Sequence, residues 1–507
     1  MDNLFTINKN PIKLKKRAGI LIPNEYVNSP FYSYIRANLT RSFLEYNTSE
    51  LIINKFFLES DKFLTIPRFF PVQDYIGTYN IEDISNPGQD IKINHNIIPR
   101  TETQKKAINY MLKNDSGLIQ LQPGVGKTVI SIYVVAERKK KTFILTHKDY
   151  LAEQWIGPGK QGSRAGFLDF TDLPKEEIVR LTSSNFQNAL KRSIIVTTDQ
   201  TFISLLKRKR KEFLEALHKA NIGILIADEV HTSVGAPTFS ECSIHIPAKV
   251  VFGLSATPYR YDGNGDIIKY HMGPLFSEDD SSGTMDARVS IFLFDFEIVN
   301  GTIIRKKKIV KINRTKYLWW EGKFQRARYL NLFKNSIPLI NLSKSLINKF
   351  KDNKDILFIA ERIENFLLPM FNWTPSEDKG LFISGSKDED LQKNIVYSTP
   401  GKIRDGVNVP NKNLLILTSP ISNIAQITGR VTRTKEGKET PIVIDMVDTG
   451  CKDIYKTLFQ RLDYYDLKKW PVQFIIIRNG KTEVIDRKEA FKILNDKNDN
   501  QLSLEIK

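Results

Sequence analysis

Gln122-Pro-Gly-Val-Gly-Lys-Thr128 follows a short apolar run, Leu118–Leu121. It precedes a segment whose Val129, Ile132, Tyr133 and Ala136 share one helical face. A strand, a glycine loop and a helix in that order make a phosphate loop. Gly124 and Gly126 let the backbone wrap an anion without a Cβ clash. The amides at the helix N-terminus face that anion. Lys127 is placed to reach the outer phosphates of a nucleotide, and Thr128 to ligate the Mg²⁺ they carry. Gln122, Pro123 and Val125 complete the loop. The general pattern wants glycine where this chain has Leu121, which narrows the loop to a subclass.

The surrounding pattern sets the fold class. Apolar runs recur at Phe143–Thr146, Ile194–Thr198, Ile222–Ala227 and Val250–Leu254, with helical segments between several of them. Strands alternating with helices imply a parallel sheet. A second series follows at Ile356–Ala360, Leu381–Ser384, Leu414–Thr418 and Pro441–Val447. The expected fold is therefore α/β, with two tandem parallel-sheet lobes. The lobes are assigned to residues 93–272 and 331–475, with an inter-lobe segment at 273–330 and a tail at 476–507. Residues 1–92 form a smaller accessory domain. Its aromatic pairs, Phe31-Tyr32, Phe56-Phe57 and Phe69-Phe70, favour core packing over stacking on bases. Ile66–Pro71, IPRFFP, reads as an extended turn because proline restricts its neighbours.

Two further constellations carry chemistry. Asp228-Glu-Val-His231 leaves the strand run Ile222–Ala227, at the carboxyl edge of the sheet where open α/β folds bind ligands. Asp228 can hold Mg²⁺, Glu229 can orient and deprotonate an attacking water, and His231 can couple the site to the second lobe. Gln426-Ile-Thr-Gly-Arg-Val-Thr-Arg433 follows the Leu414–Thr418 strand. Arg430 and Arg433 can stabilise charge building on a transferred phosphoryl, with Arg433 the first choice, and Gln426 can contact the nucleotide or position them. The second lobe has no phosphate loop of its own, so one nucleotide site between the lobes is the economical expectation.

These residues resemble the superfamily 2 helicases. DEVH is similar to their DEXH box, Ser255-Ala-Thr-Pro258 to the motif linking hydrolysis to movement, and the Gln426–Arg433 segment to their QxxGRxxR signature. Gly253–Gly263, GLSATPYRYDG, is closest in appearance to the branch holding the poxvirus-type transcript-release DNA helicases, the TFIIH translocase subunit and phage branched-DNA helicases. The resemblance covers about residues 95–470 and implies RecA-like lobes, ATP and Mg²⁺ as cofactors, and an ATPase that moves along DNA in the 3′-to-5′ direction, with a role in viral transcription. The alternatives it leaves open are a duplex translocase that does not unwind and an RNA helicase.

It also implies site roles. Arg100 and Gln104 fall in the adenine-reading region. Ser255, Thr257, Gly406 and Asn408 fall in coupling motifs, although the family often has Asp where Asn408 stands. Thr146, His147, Thr197, Thr198, Gln200 and Gly385 fall where the lobes hold a nucleic-acid backbone; Lys387 is open between a phosphate contact and a solvated lysine. Arg461, Tyr464 and Tyr465 match a helix after the last motif, packing being favoured for the tyrosines.

Composition agrees without deciding. There are 75 Lys and Arg against 57 Asp and Glu among 507 residues, a net charge of +18. That balance suits a polyanion partner such as DNA or RNA, and it also fits simple lysine-rich drift. Two cysteines, Cys242 and Cys451, cannot build a zinc site or a disulfide framework. The N-terminus lacks the apolar core of a signal peptide and no run is long enough to span a bilayer, so the expectation is a soluble intracellular protein with no membrane partner, located if viral in the host cytoplasm and packaged in the virion, with transcription machinery as a further partner.

Overall fold

A computed structural model describes residues 11–44, 51–76, 78–122, 124–158, 166–230, 237–256, 264–278, 285–294, 302–305, 308–311, 318–320, 323–386, 388–404, 409, 411–421, 424–449, 452–478 and 481–494. The chain divides into two units, 1–280 and 281–507.

Alternation builds the first sheet. In β1 (Ile12–Lys16), Ile12 and Leu14 are buried between exposed lysines. β2 (Gly19–Pro23) pairs with it antiparallel. α1 (Pro30–Asn38) and the hairpin of β3 (Thr40–Leu44) and β4 (Leu51–Lys55) follow. β5 (Leu58–Glu59), β6 (Phe63–Pro67) and β7 (Tyr79–Asp83) complete a sheet ordered β5-β6-β2-β1-β7. Phe31, Tyr32, Phe56, Phe57 and Phe70 lie in its core, as the favoured packing reading required. The IPRFFP segment is extended through Pro67 and then turns. Arg68 at that turn is buried, and its guanidinium donates to the carbonyls of Ala248 at 2.8 Å, Ile246 at 2.9 Å and Ser243 at 3.4 Å. The accessory sheet is thereby fastened to the rest of its unit.

The larger sheet of the first unit is parallel. Its elements run α2 (Glu102–Lys113), β8 (Ser116–Gln120), α3 (Lys127–Arg138), β9 (Thr142–Thr146), α4 (Asp149–Ile156), α5 (Phe167–Phe170), β10 (Ile178–Arg180), α6 (Phe186–Ala189), β11 (Ile194–Thr198), α7 (Asp199–Arg208), α8 (Arg210–Lys219), β12 (Ile224–Asp228), α9 (Pro237–His245), β13 (Val250–Ser255), α10 (Gly265–Met272) and β14 (Leu275–Ser277). The strand order is β10-β11-β9-β12-β13-β8-β14. β9, β11, β12 and β13 are buried at every residue, because helices cover both faces of the sheet. Gly253 in β13 is required by packing: a Cβ there would lie 2.8 Å from the Met272 side chain and 2.9 Å from that of Val230.

The second unit carries an eight-stranded sheet. β15 (Arg288–Phe294) precedes the short hairpins β16 (Thr302–Arg305)–β17 (Lys308–Lys311) and β18 (Trp319–Trp320)–β19 (Lys323–Phe324). β20 (Ile356–Ile359), β21 (Lys379–Phe382), β22 (Ile395–Ser398), β23 (Leu414–Leu417), β24 (Ile442–Asp448), β25 (Val472–Arg478) and β26 (Lys481–Ile485) follow. Their order is β21-β22-β20-β23-β24-β15-β25-β26, parallel but for β26. The α/β fold with two tandem RecA-like sheets is as expected.

The segment read as an inter-lobe linker is not one in its middle. Leu275–Ser277 extends the first sheet and Arg288–Phe294 sits inside the second, between β24 and β25. Its Val289, Ile291 and Leu293 face one core and Phe292 and Phe294 the other. The tail from 476 likewise begins inside β25 and continues into β26. No helix among the described residues is long and apolar enough to cross a membrane.

Candidate nucleotide site and nucleic-acid interface

Adjacency in the sheet assembles the first part of the site. β12, β13 and β8 are neighbours and parallel, so their carboxyl ends lie side by side. Gln120 is registered with Ser255, and Leu254 with Asp228. Two backbone bonds then tie the loops beyond the strands: Leu121 N–H donates to Ser255 O at 3.2 Å and Val230 N–H to Leu254 O at 3.1 Å. The phosphate loop, Ser255 and the acidic pair therefore share one sheet edge.

The phosphate loop has the backbone its glycines suggest. Gly124 and Gly126 sit at φ +92° and +93°, where a side chain is strained. Gly126 precedes α3 and gives it no side-chain cap, so the first-turn amides can serve an anion. Lys127 Nζ donates to Leu121 O at 3.1 Å. Gln104 braces the loop from α2. Its Nε2 donates to Val125 O at 2.7 Å and its Oε1 accepts from Arg100 N–H at 2.6 Å. Thr101 caps the same helix by accepting from Gln104 N–H at 3.2 Å. Gln104 thus holds the loop, and its carbonyl keeps a lone pair for a base.

The acidic pair is more tightly built. Asp228 is 7% exposed and ends a wholly buried strand. Trp155 of α4 donates its indole N–H to Asp228 Oδ2 at 2.9 Å, and Glu229 N–H donates to Oδ1 at 3.0 Å. Burial, then the adjacent Glu229 charge, pushes the Asp228 carboxyl above the usual carboxylate range; the Trp155 bond and Lys127 pull the other way. Glu229 occupies left-handed backbone, φ +49°, which turns the chain sharply at the sheet edge. A buried carboxylate pressed by a second one suits a divalent cation. No group of three or more His, Cys, Asp or Glu that could hold a metal occurs among the described residues. The donor set fits a Mg²⁺ shared with nucleotide phosphates, Asp228 and Thr128 supplying the protein's part.

The second unit presents paired guanidiniums. Arg430 lies on the helix Ala425–Val431 and is 8% exposed. Burial, then repulsion from Arg430, lowers Arg433 to about 10. Lys438 Nζ fixes the segment by donating to Val431 O at 2.6 Å and Arg433 O at 2.9 Å. Burial and the neighbouring Arg430 both disfavour the charged form of Arg433. Gln426 lies on the same helix, half-buried.

Residues 97–260 match the family described as Type III restriction enzyme, res subunit. L396 of Acanthamoeba polyphaga mimivirus, named as an ATP-dependent RNA helicase, is 26% identical over 514 residues, 96% of this chain and 91% of its own. The Transcript termination protein A18 of Yaba-like disease virus is 25% identical over 350 residues, 66% of this chain and 68% of its own. The chain is an ATP-dependent nucleic-acid helicase similar to the superfamily 2 helicases of the DEXH type. It is similar in fold to the ATP-dependent Type ISP restriction-modification enzyme LlaBIII bound to DNA, at 14% identity and a TM-score of 0.50, covering 79% of this chain and 32% of that one.

The residues expected to hold a nucleic-acid backbone divide into two groups. Thr146 and Thr197 are fully buried, and their hydroxyls serve main-chain carbonyls: Thr146 those of Lys148 and Thr197, both at 3.3 Å, and Thr197 that of Leu181 at 3.0 Å. They shape the strand ends and are withdrawn as side-chain contacts. Thr198 caps α7, accepting from Thr201 N–H at 3.3 Å. Gln200 is exposed and donates to His147 O at 3.1 Å. Gly385, at φ +86°, is exposed with nothing within 4 Å of its Cβ position. Pro123, His231, Thr257, Lys387, Gly406 and Asn408 lie outside the described residues.

Arg461, on the helix after the last motif, joins the core. It is buried and donates to Asp445 Oδ2 at 2.7 Å, where the Tyr465 hydroxyl donates at 3.2 Å. The tyrosines pack, as favoured. Trp155 and Lys438 are the site residues the sequence reading missed. Leu151-Ala-Glu-Gln-Trp155, just after Thr146-His147, was the available signal for the first.

Proposed function

We propose that this helicase uses ATP hydrolysis to move along DNA in the 3′-to-5′ direction and acts in viral transcription, at transcript release or elongation. The observation that carries the motor reading is the shared sheet edge of the phosphate loop, Ser255 and Asp228-Glu229. The loop amides and Lys127 bind the phosphates of ATP. Glu229 accepts a proton from the attacking water and aligns it. Asp228 and Thr128 would hold Mg²⁺, which when bound neutralises phosphate charge. Arg433, with Arg430, is suited to meet the charge that develops on the γ-phosphoryl. His147, Gln200 and Gly385 hold the backbone of the strand.

The transcription role draws on the similarity to A18, a transcript termination protein, over 66% of this chain. The name of L396 favours a second reading, movement on RNA. Basal ATPase is measured beside activity with single-stranded DNA, duplex DNA and RNA. Stimulation by DNA above RNA supports the proposal, and equal activity without polynucleotide refutes a motor. Strand displacement run beside triplex displacement separates unwinding from translocation on duplex.

A further inference from the structure

Trp155 is a 1%-exposed tryptophan whose only polar atom is spent on Asp228. An indole N–H is a donor without acceptor capacity, so it fixes one carboxylate oxygen and leaves that oxygen's remaining lone pair for a cation. The Glu229 amide fixes the other oxygen from the side of the turn. Asp228 is in this way held between two donors on different elements. The ring itself is wedged: it lies tilted at 31° to the ring of Phe167, with centroids 6.3 Å apart, and joins the core on one face of the parallel sheet.

The element carrying the ring adds a second consequence. α4 starts at Asp149, two residues after His147. The His147 carbonyl accepts from exposed Gln200 at the start of α7. One eight-residue helix therefore has the proposed backbone-holding loop at its N-terminus and the indole against the acidic strand in its last turn. The same short helix therefore joins the proposed backbone-holding loop to the indole that holds Asp228.

We propose that Trp155 is a positioning residue for the metal-binding carboxylate, and that through α4 it transmits engagement of a nucleic-acid backbone to the nucleotide site. The proposal rests on the reading of Asp228 as the Mg²⁺ ligand. Partners that orient a metal-binding side chain typically govern tenfold to hundredfold in metal affinity or activity.

The test uses the full chain with three substitutions: Trp155→Phe, benzothienylalanine at 155, which replaces the N–H by sulfur at constant shape, and Asp228→Asn. Binding of a fluorescent ATP analogue is titrated with Mg²⁺ and without it, beside basal and DNA-stimulated ATPase and thermal melting. The expected result for both 155 variants is metal-free nucleotide binding within about twofold of wild type, a Mg²⁺ requirement raised about tenfold, and a DNA stimulation reduced by more than basal turnover. An unchanged Mg²⁺ response in the benzothienylalanine protein overturns the positioning role. Equal losses in basal and stimulated turnover overturn the transmission through α4. If Asp228→Asn keeps a wild-type Mg²⁺ response, the carboxylate assignment itself is what fails.

Discussion

Gln104 Nε2 lies 2.7 Å from Val125 O, so the residue expected to read adenine holds the phosphate loop from below. Its Oε1 is engaged by Arg100 N–H at 2.6 Å, which closes a brace from the start of α2 to the loop. Gln104→Ala is expected to raise KM for ATP about tenfold and change kcat little, as loss of one or two hydrogen bonds on a ligand loop would. KM for GTP rises in parallel if bracing dominates. A loss confined to ATP, with GTP unaffected, would return Gln104 to base reading alone.

Glu229 supplies the next prediction. Its left-handed backbone, φ +49°, is tolerated equally by Gln, so Glu229→Gln removes the base without new strain. We expect kcat to fall by about 10² to 10⁴ and ATP binding to stay within about twofold. Single-turnover ATPase with a parallel nucleotide titration reads both. Near-normal turnover would sink the assignment of the base.

Arg430 and Arg433 repel one another, and burial adds to the cost, which is why Arg433 sits at about 10. The proposed role of Arg433 is to meet the charge that develops on the γ-phosphoryl. Arg433→Ala should lower kcat by about 10³ while the melting temperature moves little. Arg433→Lys should not rescue, because an ammonium cannot span several phosphoryl oxygens. Full activity in the lysine variant would mean that a point charge suffices.

Asp199, at the start of α7, gives a pH prediction. It is fully buried, its Oδ2 meets no donor among the described residues, and burial pushes its pKa up to about 7. A carboxyl whose pKa is raised on folding contributes stability that is fully present below its unfolded value, near 4, and is lost as pH rises through about 7. The loss amounts to about 2–4 kcal/mol. The stability difference between Asp199→Asn and the wild type should therefore shift in the variant's favour between pH 4 and 8. Urea unfolding at several pH values measures it; parallel curves for the two proteins would show that Asp199 does not titrate on folding.

What the sequence could and could not disclose follows from where each constraint comes. The phosphate loop, Asp228-Glu229 and Arg430/Arg433 are legible because phosphate chemistry demands those residue types at short spacing. The buried runs of β9, β11, β12 and β13 are legible because strands covered on both faces are apolar throughout. Trp155 and Asp228 are 73 residues apart, and no local pattern links them. Arg288–Phe294 mixes Arg and Ser into its run, and only the sheet reveals that it lies between two strands from the far end of the chain. Thr146 and Thr197 carry suitable hydroxyls, but at strand ends their nearest acceptors are main-chain carbonyls, a fact of register that composition does not encode.

Arg68 ties the accessory sheet of residues 1–92 to the 243–248 segment. Its guanidinium is buried against three carbonyls of the 243–248 segment, at distances of 2.8 to 3.4 Å. Burial lowers its pKa to about 10, still far above neutrality, so it is a cation at every working pH. Arg68→Ala would leave three carbonyls without their donor and open a void, at a cost of about 2–4 kcal/mol. The site on the β8–β12–β13 edge depends on none of these bonds, so ATP binding should survive. Hydrogen exchange should quicken in β1, β2, β6 and β7 and remain slow in β9, β12 and β13. Arg68→Lys should restore little, because a single nitrogen on a shorter reach cannot serve carbonyls that the fork spans. Uniform loss of protection across both sheets would show instead that the accessory sheet and the parallel sheet unfold as one.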